Sequence, residues 1–391
     1  MYLNYSLVNM NTKKIALIPP GGEFINQDFA LQRIALYFIT QDIVVYLIKL
    51  GSSSKIEEDT IFNYIITVQD IQELEELNQT HQFDLVVHRC WMHKYIFAST
   101  LLNKFSNIVF YIKDWMDEIP KEEYGFLYKT QEDYDGIKAI FQSGHTILSH
   151  YSNKYTNKLS RKYQVPNNTF NFFPEYCIKN NFYTRKNTKF DPKNIRLLWA
   201  GGLSPSNKPK RIDEEKIFLD GLVHISKQNI KIDLFLLKKH FNRVFDKQQF
   251  EIWRDWLYED QFNNNINIKM GRPMDATIFE HYDFGIAAGL FYDENCLALK
   301  SVCQAVVSKI ALYLEAGIPI IVNEKWVAIA QIVKKYKIGI VISNNDLNDF
   351  NSVFQISQYD YDQIVSNIYI YRSKYSYNNR TMNFLLRLIN E

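Results

Sequence analysis

Short apolar runs alternate with stretches of helical spacing along nearly the whole chain. Residues 14–18 form the first compact run, which stops at Pro19-Pro20-Gly21-Gly22. A helical stretch over 27–38 follows. Further runs at 43–48, 64–68, 83–87, 108–112 and 146–148 read as strands, most of them separated by helical segments. Strands that alternate with helices predict βαβ units and a mainly parallel sheet. A polar, irregular stretch then covers 179–194. Beyond it the alternation resumes, with strands expected at 195–199, 232–237, 265–268, 284–287, 318–322 and 338–342. The pattern therefore predicts an α/β chain of two doubly wound, Rossmann-like domains. The expected boundaries are 1–185, a linker at 186–194, 195–358, and C-terminal helices at 359–391 that pack back on the first domain.

Composition narrows the classes. With 391 residues, 47% hydrophobic and 23% charged, the chain can bury two ordinary cores. A net charge of +2 gives no basic excess of the kind that nucleic-acid binding requires, so no nucleic-acid partner is expected. The four cysteines, Cys90, Cys177, Cys296 and Cys303, form no CxxC pair and no zinc-type cluster, which fits a reducing compartment. Residues 1–11 are polar and lack the layout of a signal peptide. The longest apolar stretch, 297–314, is interrupted by Lys300 and Lys309 and falls short of the ~20 residues of a membrane span. A cytoplasmic protein is expected, with peripheral contact at the inner face of a membrane left open. The abundant aromatic residues suit either a core or a homo-oligomer interface.

The most informative segment is 308–339, SKIALYLEAGIPIIVNEKWVAIAQIVKKYKIG. A helix should end at Ala316-Gly317, where glycine suits a left-handed cap and Pro319 cannot continue the helix. A buried strand should follow at once, then a second helix from about Glu324 to just before Gly339. If the first helix starts near Ser308, its exposed N–H groups make a phosphate site, with Lys309 adding a full positive charge. An unbroken helix from Ser301 would move that end away from Lys309. This segment resembles a bacterial family of GT-B glycosyltransferases that includes galactofuranosyltransferases of surface polysaccharides and glucosyltransferases acting on serine-rich adhesins. The matching residues are Lys309, Tyr313-Leu314, Ala316-Gly317 and Pro319-Ile320-Ile321, continuing through Ala330 and Gly339. Weaker echoes are Phe110-Tyr111-Ile112-Lys113-Asp114, Leu198-Trp199-Ala200-Gly201-Gly202-Leu203 and Phe284-Gly285 with 289–293.

The resemblance implies two domains facing a cleft. It also implies a nucleotide-sugar donor, UDP-linked by preference, bound through Gly201, Gly202, Ser308 and Lys309. Lys208, Lys210 and Arg211 in the loop after Gly202 add charge to that site. A glycan, glycoprotein or surface-polysaccharide acceptor would lie near Gly21 and Gly22 on the first domain. Asp114 and His88, both read as ending strands, are the candidate bases for the acceptor hydroxyl. Two Asp-x-Asp triplets, Asp133-Tyr134-Asp135 and Asp360-Tyr361-Asp362, follow no clear strand and read as helix starts, so no metal or other cofactor is expected. One departure stands out. Many retaining GT-B enzymes carry Glu five residues before the motif's glycine, where this chain has Leu312; Glu315 lies about 300° further round the helix. A nucleotide-sugar epimerase of the same fold and a non-catalytic partner of another glycosyltransferase are the alternatives.

Overall fold

The computed structural model describes residues 12–23, 29–51, 61–91, 93–113, 115, 130–186, 189–202, 214–236, 265–270 and 276–390. The chain divides into two compact units. The first comprises Met1–Trp115, Pro120–Phe173 and Tyr377–Glu391; the second comprises Met116–Ile119 and Pro174–Ser376. The stretch 186–194 thus lies in the second unit, as do the preceding residues from Pro174.

In the first unit the described elements are β1 (Lys14–Ile18), α1 (Phe29–Ile39), β2 (Val44–Leu50), β3 (Tyr64–Val68), α2 (Ile71–His81), β4 (Leu85–Cys90), α3 (Tyr95–Thr100), β5 (Ile108–Ile112), α4 (Gln131–Gln142), β6 (Thr146–Ser149), α5 (Asn153–Tyr163) and β7 (Phe170–Phe172). The strands form one parallel sheet in the order β3-β2-β1-β4-β5-β6-β7. The central strands are apolar without alternation because helices cover both faces of a parallel sheet. Ile15 to Ile18 are wholly buried, whereas edge strand β3 leaves Tyr64 and Ile65 exposed.

The second unit repeats the plan with β8 (Arg196–Ala200), α6 (Glu214–Ser226), β9 (Lys231–Leu236), β10 (Ile266–Met270), β11 (Phe284–Ile286), α7 (Leu297–Val302), α8 (Lys309–Ala316), β12 (Ile320–Asn323), α9 (Val327–Tyr336), β13 (Gly339–Ile342) and α10 (Gln358–Lys374). Its sheet is also parallel, in the order β10-β9-β8-β11-β12-β13. The last helix, α11 (Asn379–Asn390), belongs to the first unit, where the Tyr37 hydroxyl of α1 donates to Asn379 Oδ1 at 3.0 Å. In each sheet the strand order reverses once, between β1 and β4 and between β8 and β11. Ligands of such sheets bind beyond the carboxyl ends of the strands at that reversal.

The corner from α8 to β12 shows how local sequence sets the fold. Gly317 takes φ +71, its N–H donates to Leu314 O at 3.2 Å, and the Ile318 N–H donates to Tyr313 O at 2.9 Å. That closes the helix with a left-handed cap, which glycine adopts without a Cβ clash. Because Ile318 is spent on the cap and Pro319 has no N–H, the strand begins at Ile320, two residues later than the apolar run suggests. The apolar stretch 297–314 is likewise two helices, α7 and α8, rather than one. No helix among the described residues is long and apolar enough to cross a membrane.

Gly339 opens β13 directly opposite Ile320, and a Cβ there would fall 1.8 Å from the Ile320 carbonyl oxygen. The obstacle is backbone, so no side-chain rotation relieves it. Gly339→Ala is expected to lower stability by about 3 kcal/mol, the upper range for overpacking. Urea unfolding read by circular dichroism tests this; an unchanged midpoint would show that the two strands separate at no cost.

Candidate functional site

In the second unit the carboxyl end of β8 and the start of α8 meet. The helix starts at Lys309, after a break that includes Val306, Val307 and Ser308, so its amino end is not absorbed into α7. Since α8 runs straight into β12 of a parallel sheet, its first turn lies at the carboxyl edge of that sheet. Lys309 folds back over the turn after β8. A Cβ on Gly201 would sit 2.7 Å from Lys309 Cε, and the ammonium lies 3.8 Å from the centroid of the buried Trp199 ring. The flexible lysine thus lies over the space that a side chain at position 201 would use. Gly201, Gly202, Ser308 and Lys309 are all partly accessible. A helix amino end, a lysine and a side-chain-free turn together form a site suited to a phosphate group.

Tyr313, one turn beyond Lys309, fixes this arrangement. Its hydroxyl accepts from Ala200 N at 3.0 Å and faces the carbonyls of Ile286 at 3.1 Å and Leu198 at 3.3 Å. It thus bridges β8 and β11 at the reversal of strand order. Gly285 makes room for it, because a Cβ there would meet the Tyr313 ring at 2.6 Å. The sequence flagged Tyr313 only as part of a motif; its role as a bridge between strands is visible only in three dimensions.

Leu312 is buried, and Glu315 does not stand in for a carboxylate at that position. Glu315 is buried, its Oε1 accepts from Ile178 N at 2.6 Å, and its carbonyl accepts from Tyr183 N at 2.9 Å. It anchors the segment that enters the second unit. Lys208, Lys210 and Arg211 lie outside the described residues.

In the first unit Gly21 and Gly22 form a tight turn after β1, with φ +58 and +77. Cβ atoms there would meet Lys94 Cδ at 2.7 Å and Leu50 Cβ at 2.5 Å, so Gly22 is packed and Gly21 is roofed by a flexible lysine. Asp114 lies outside the described residues. His88 does not end its strand: β4 continues to Cys90, and His88 pairs with Ile18 of β1 and Phe110 of β5 inside the sheet. The ring is wholly buried against Phe97 and Phe110, with Nδ1 3.1 Å from the Ile18 carbonyl. Burial pushes its pKa down to about 3, and the bond to Ile18 opposes that only in part. Both Asp-x-Asp triplets are engaged in capping. Asp133 is buried and accepts from the N–H groups of His93, Tyr95 and Ile96, while Asp360 completes a capping box with Ser357.

Two parallel sheets with interleaved helices, one in each unit, are the layers of the GT-B fold. Solved structures agree. Sucrose-phosphate synthase from Thermosynechococcus elongatus is similar at 12% identity and TM-score 0.66, covering 97% of this chain and 98% of that one. HepE from Anabaena, solved in complex with UDP-glucose, is similar at 11% identity and TM-score 0.63, covering 96% and 99%. WaaG, a glycosyltransferase involved in lipopolysaccharide biosynthesis, gives 13% identity and TM-score 0.58, covering 92% and 95%. At such identities the likeness establishes the fold. Residues 241–387 match the family model described as Glucosyltransferase 3-like, C-terminal domain. The GT-B resemblance read from the sequence therefore holds, and the family match includes Lys309. No curated protein matches the sequence.

The buried His88 makes a prediction about acid. The unfolded chain takes up a proton near the ordinary histidine pKa, whereas the folded site resists until about 3. Stability is therefore present above pH ~6.5 and lost as pH falls towards the folded value, by up to about 1.4 kcal/mol per pH unit for one group. His88→Asn keeps a donor for Ile18 but cannot titrate. Its unfolding free energy should fall less steeply between pH 6 and pH 4, as approximate bounds of that window. Identical slopes for variant and wild type would mean that His88 does not resist protonation.

Proposed function

We propose that the protein is a metal-independent glycosyltransferase that moves a sugar from a nucleotide-sugar donor, UDP-linked by preference, to a glycan, glycoprotein or surface-polysaccharide acceptor. The observation that carries this reading is the closure of Lys309 over Gly201, which unites the turn after β8 with the start of α8. The donor diphosphate takes the place beside them. The helix dipole and the Lys309 ammonium then stabilise the negative charge that grows on the departing nucleotide as the glycosidic bond breaks. A preorganised cation does this without a metal ion. That HepE, of the same fold, was solved with UDP-glucose supports the choice of donor class.

Lys309 rests on Trp199 by a cation–π contact, worth about 0.5–1 kcal/mol for a cation that water still reaches. Donor binding would exchange that contact for a diphosphate, a stronger charge-assisted partner. A second reading, a non-catalytic partner of another glycosyltransferase, draws on Leu312 and on the structural engagement of Glu315. Turnover of a nucleotide sugar in the presence of acceptor separates the two.

The direct test is a thermal-shift comparison of UDP, GDP, CDP and CMP, with and without EDTA, on wild type and Lys309→Ala. A ligand at about a hundredfold excess over its Kd stabilises the native state by about 2.7 kcal/mol. One nucleoside diphosphate should raise the melting temperature of the wild type despite EDTA and fail to do so with the variant. No shift with any nucleotide would sink the donor site.

A further inference from the structure

Among the described residues, the carboxyl edge of the first sheet brings together Arg89, Lys113 and His150, which donor binding leaves unused. Three neighbouring parallel strands end there: β4 at Cys90, β5 at Ile112 and β6 at Ser149. The register pairs Cys90 with Ile112 and Ile112 with Ser149. The next residues along each strand, Trp91, Lys113 and His150, therefore emerge side by side. The β4–β5 ladder even runs one step further, since Lys113 N–H donates to Cys90 O at 3.2 Å.

Lys113 is rooted on both sides. Two residues on, Trp115 is buried, stacked on Tyr134 and edged by Phe141 and Tyr163. Its N–H donates to the Tyr151 hydroxyl at 3.0 Å, and its carbonyl accepts from that hydroxyl at 2.6 Å. Tyr151 directly follows His150, so one phenol ties the exit of β5 to the exit of β6. Fixing the backbone this way reduces the entropy that a lysine loses when it binds a ligand.

The charges converge. Arg89 is buried, with its guanidinium 3.9 Å over the Tyr111 ring. The Lys113 ammonium lies 5.3 Å from the Trp91 ring and has no carboxylate partner among the described residues. His150 is partly accessible; its pKa is held well below the ordinary value by burial and then by the positive charges of Arg89 and Lys113. Those cations favour the neutral imidazole, and the register sets residue 150 next to residue 113 at the strand ends. Such a set attracts an oxyanion, which gains a charge-assisted bond from the ammonium and a second bond from the ring.

We propose that Lys113 and His150, with Arg89 behind them, form an oxyanion seat that selects an acceptor carrying a phosphate or carboxylate group over a neutral sugar. This rests on the transferase reading, with the acceptor on the first unit. Calorimetric titration of glucose 1-phosphate, glucuronate, glucose and UDP into wild type, Lys113→Ala, Lys113→Arg and Lys309→Ala tests it. At least one anionic probe should bind the wild type more tightly than glucose. Lys113→Ala should weaken that probe at least about tenfold, Lys113→Arg should stay within about threefold, and Lys309→Ala should leave it unchanged. Lys113→Ala should also melt like the wild type and bind UDP normally. Which probe binds decides between phosphate and carboxylate. If neither anion binds better than glucose, or if Lys113→Ala binds it as well as the wild type, the seat is overturned while the donor site stands. If the wild type binds none of UDP, GDP, CDP and CMP, the transferase reading falls on its own evidence.

Discussion

A single phenol holds the second unit's reversal point together. The Tyr313 hydroxyl engages backbone groups of both β8 and β11, the two strands between which the strand order reverses. A buried backbone group left without a partner costs about 1–3 kcal/mol, so each bond that the phenol makes here counts. The same contact sets the rotation of α8. Once Tyr313 faces the sheet, the residue one turn earlier must face it too, and that residue is Lys309. The lysine's approach to Gly201 and the slot at Gly285 go with this placement.

Buried charge gives order to stretches that have no periodic pattern. Arg185 donates to the Tyr361 hydroxyl at 2.7 Å and to the carbonyls of Glu280 and Tyr282. Arg372 donates to the carbonyls of Tyr183 and Glu315 and lies between the rings of Phe182 and Tyr369. Together with Glu315 they bind the irregular entry to the second unit onto α8 and α10. Each is buried and bonded largely to backbone groups, so removing one side chain strands the groups it serves.

Two histidines near one sheet edge show how depth sets chemistry. His88 is inside the ladder, enclosed by aromatic rings, and is a neutral core group. His150 sits one residue past the end of β6, where burial and the charges of Arg89 and Lys113 hold its pKa down. The sequence marked His88 as a strand end and gave His150 no distinguishing context. The difference came from β4 running on to Cys90, three residues beyond the apolar run, because Arg89 stacks on Tyr111 of the paired strand.

The sequence by itself determined the class of fold. Uninterrupted apolar runs alternating with helical spacing can bury both faces of a strand only in parallel sheets, and β1, β3 and β5 fall where the runs fall. It also determined the cap at Gly317, since that chemistry is local. It could not supply β7, whose three residues are too short for a period, or the jobs of Tyr313, Glu315, Arg185 and the Lys113–His150 pair. Those depend on which strand ends become neighbours, at sequence separations such as the 113 residues between Ala200 and Tyr313. Only the tertiary structure decides that, because hydrogen bonds and charges act over a few ångströms in space and carry no periodic trace along the chain.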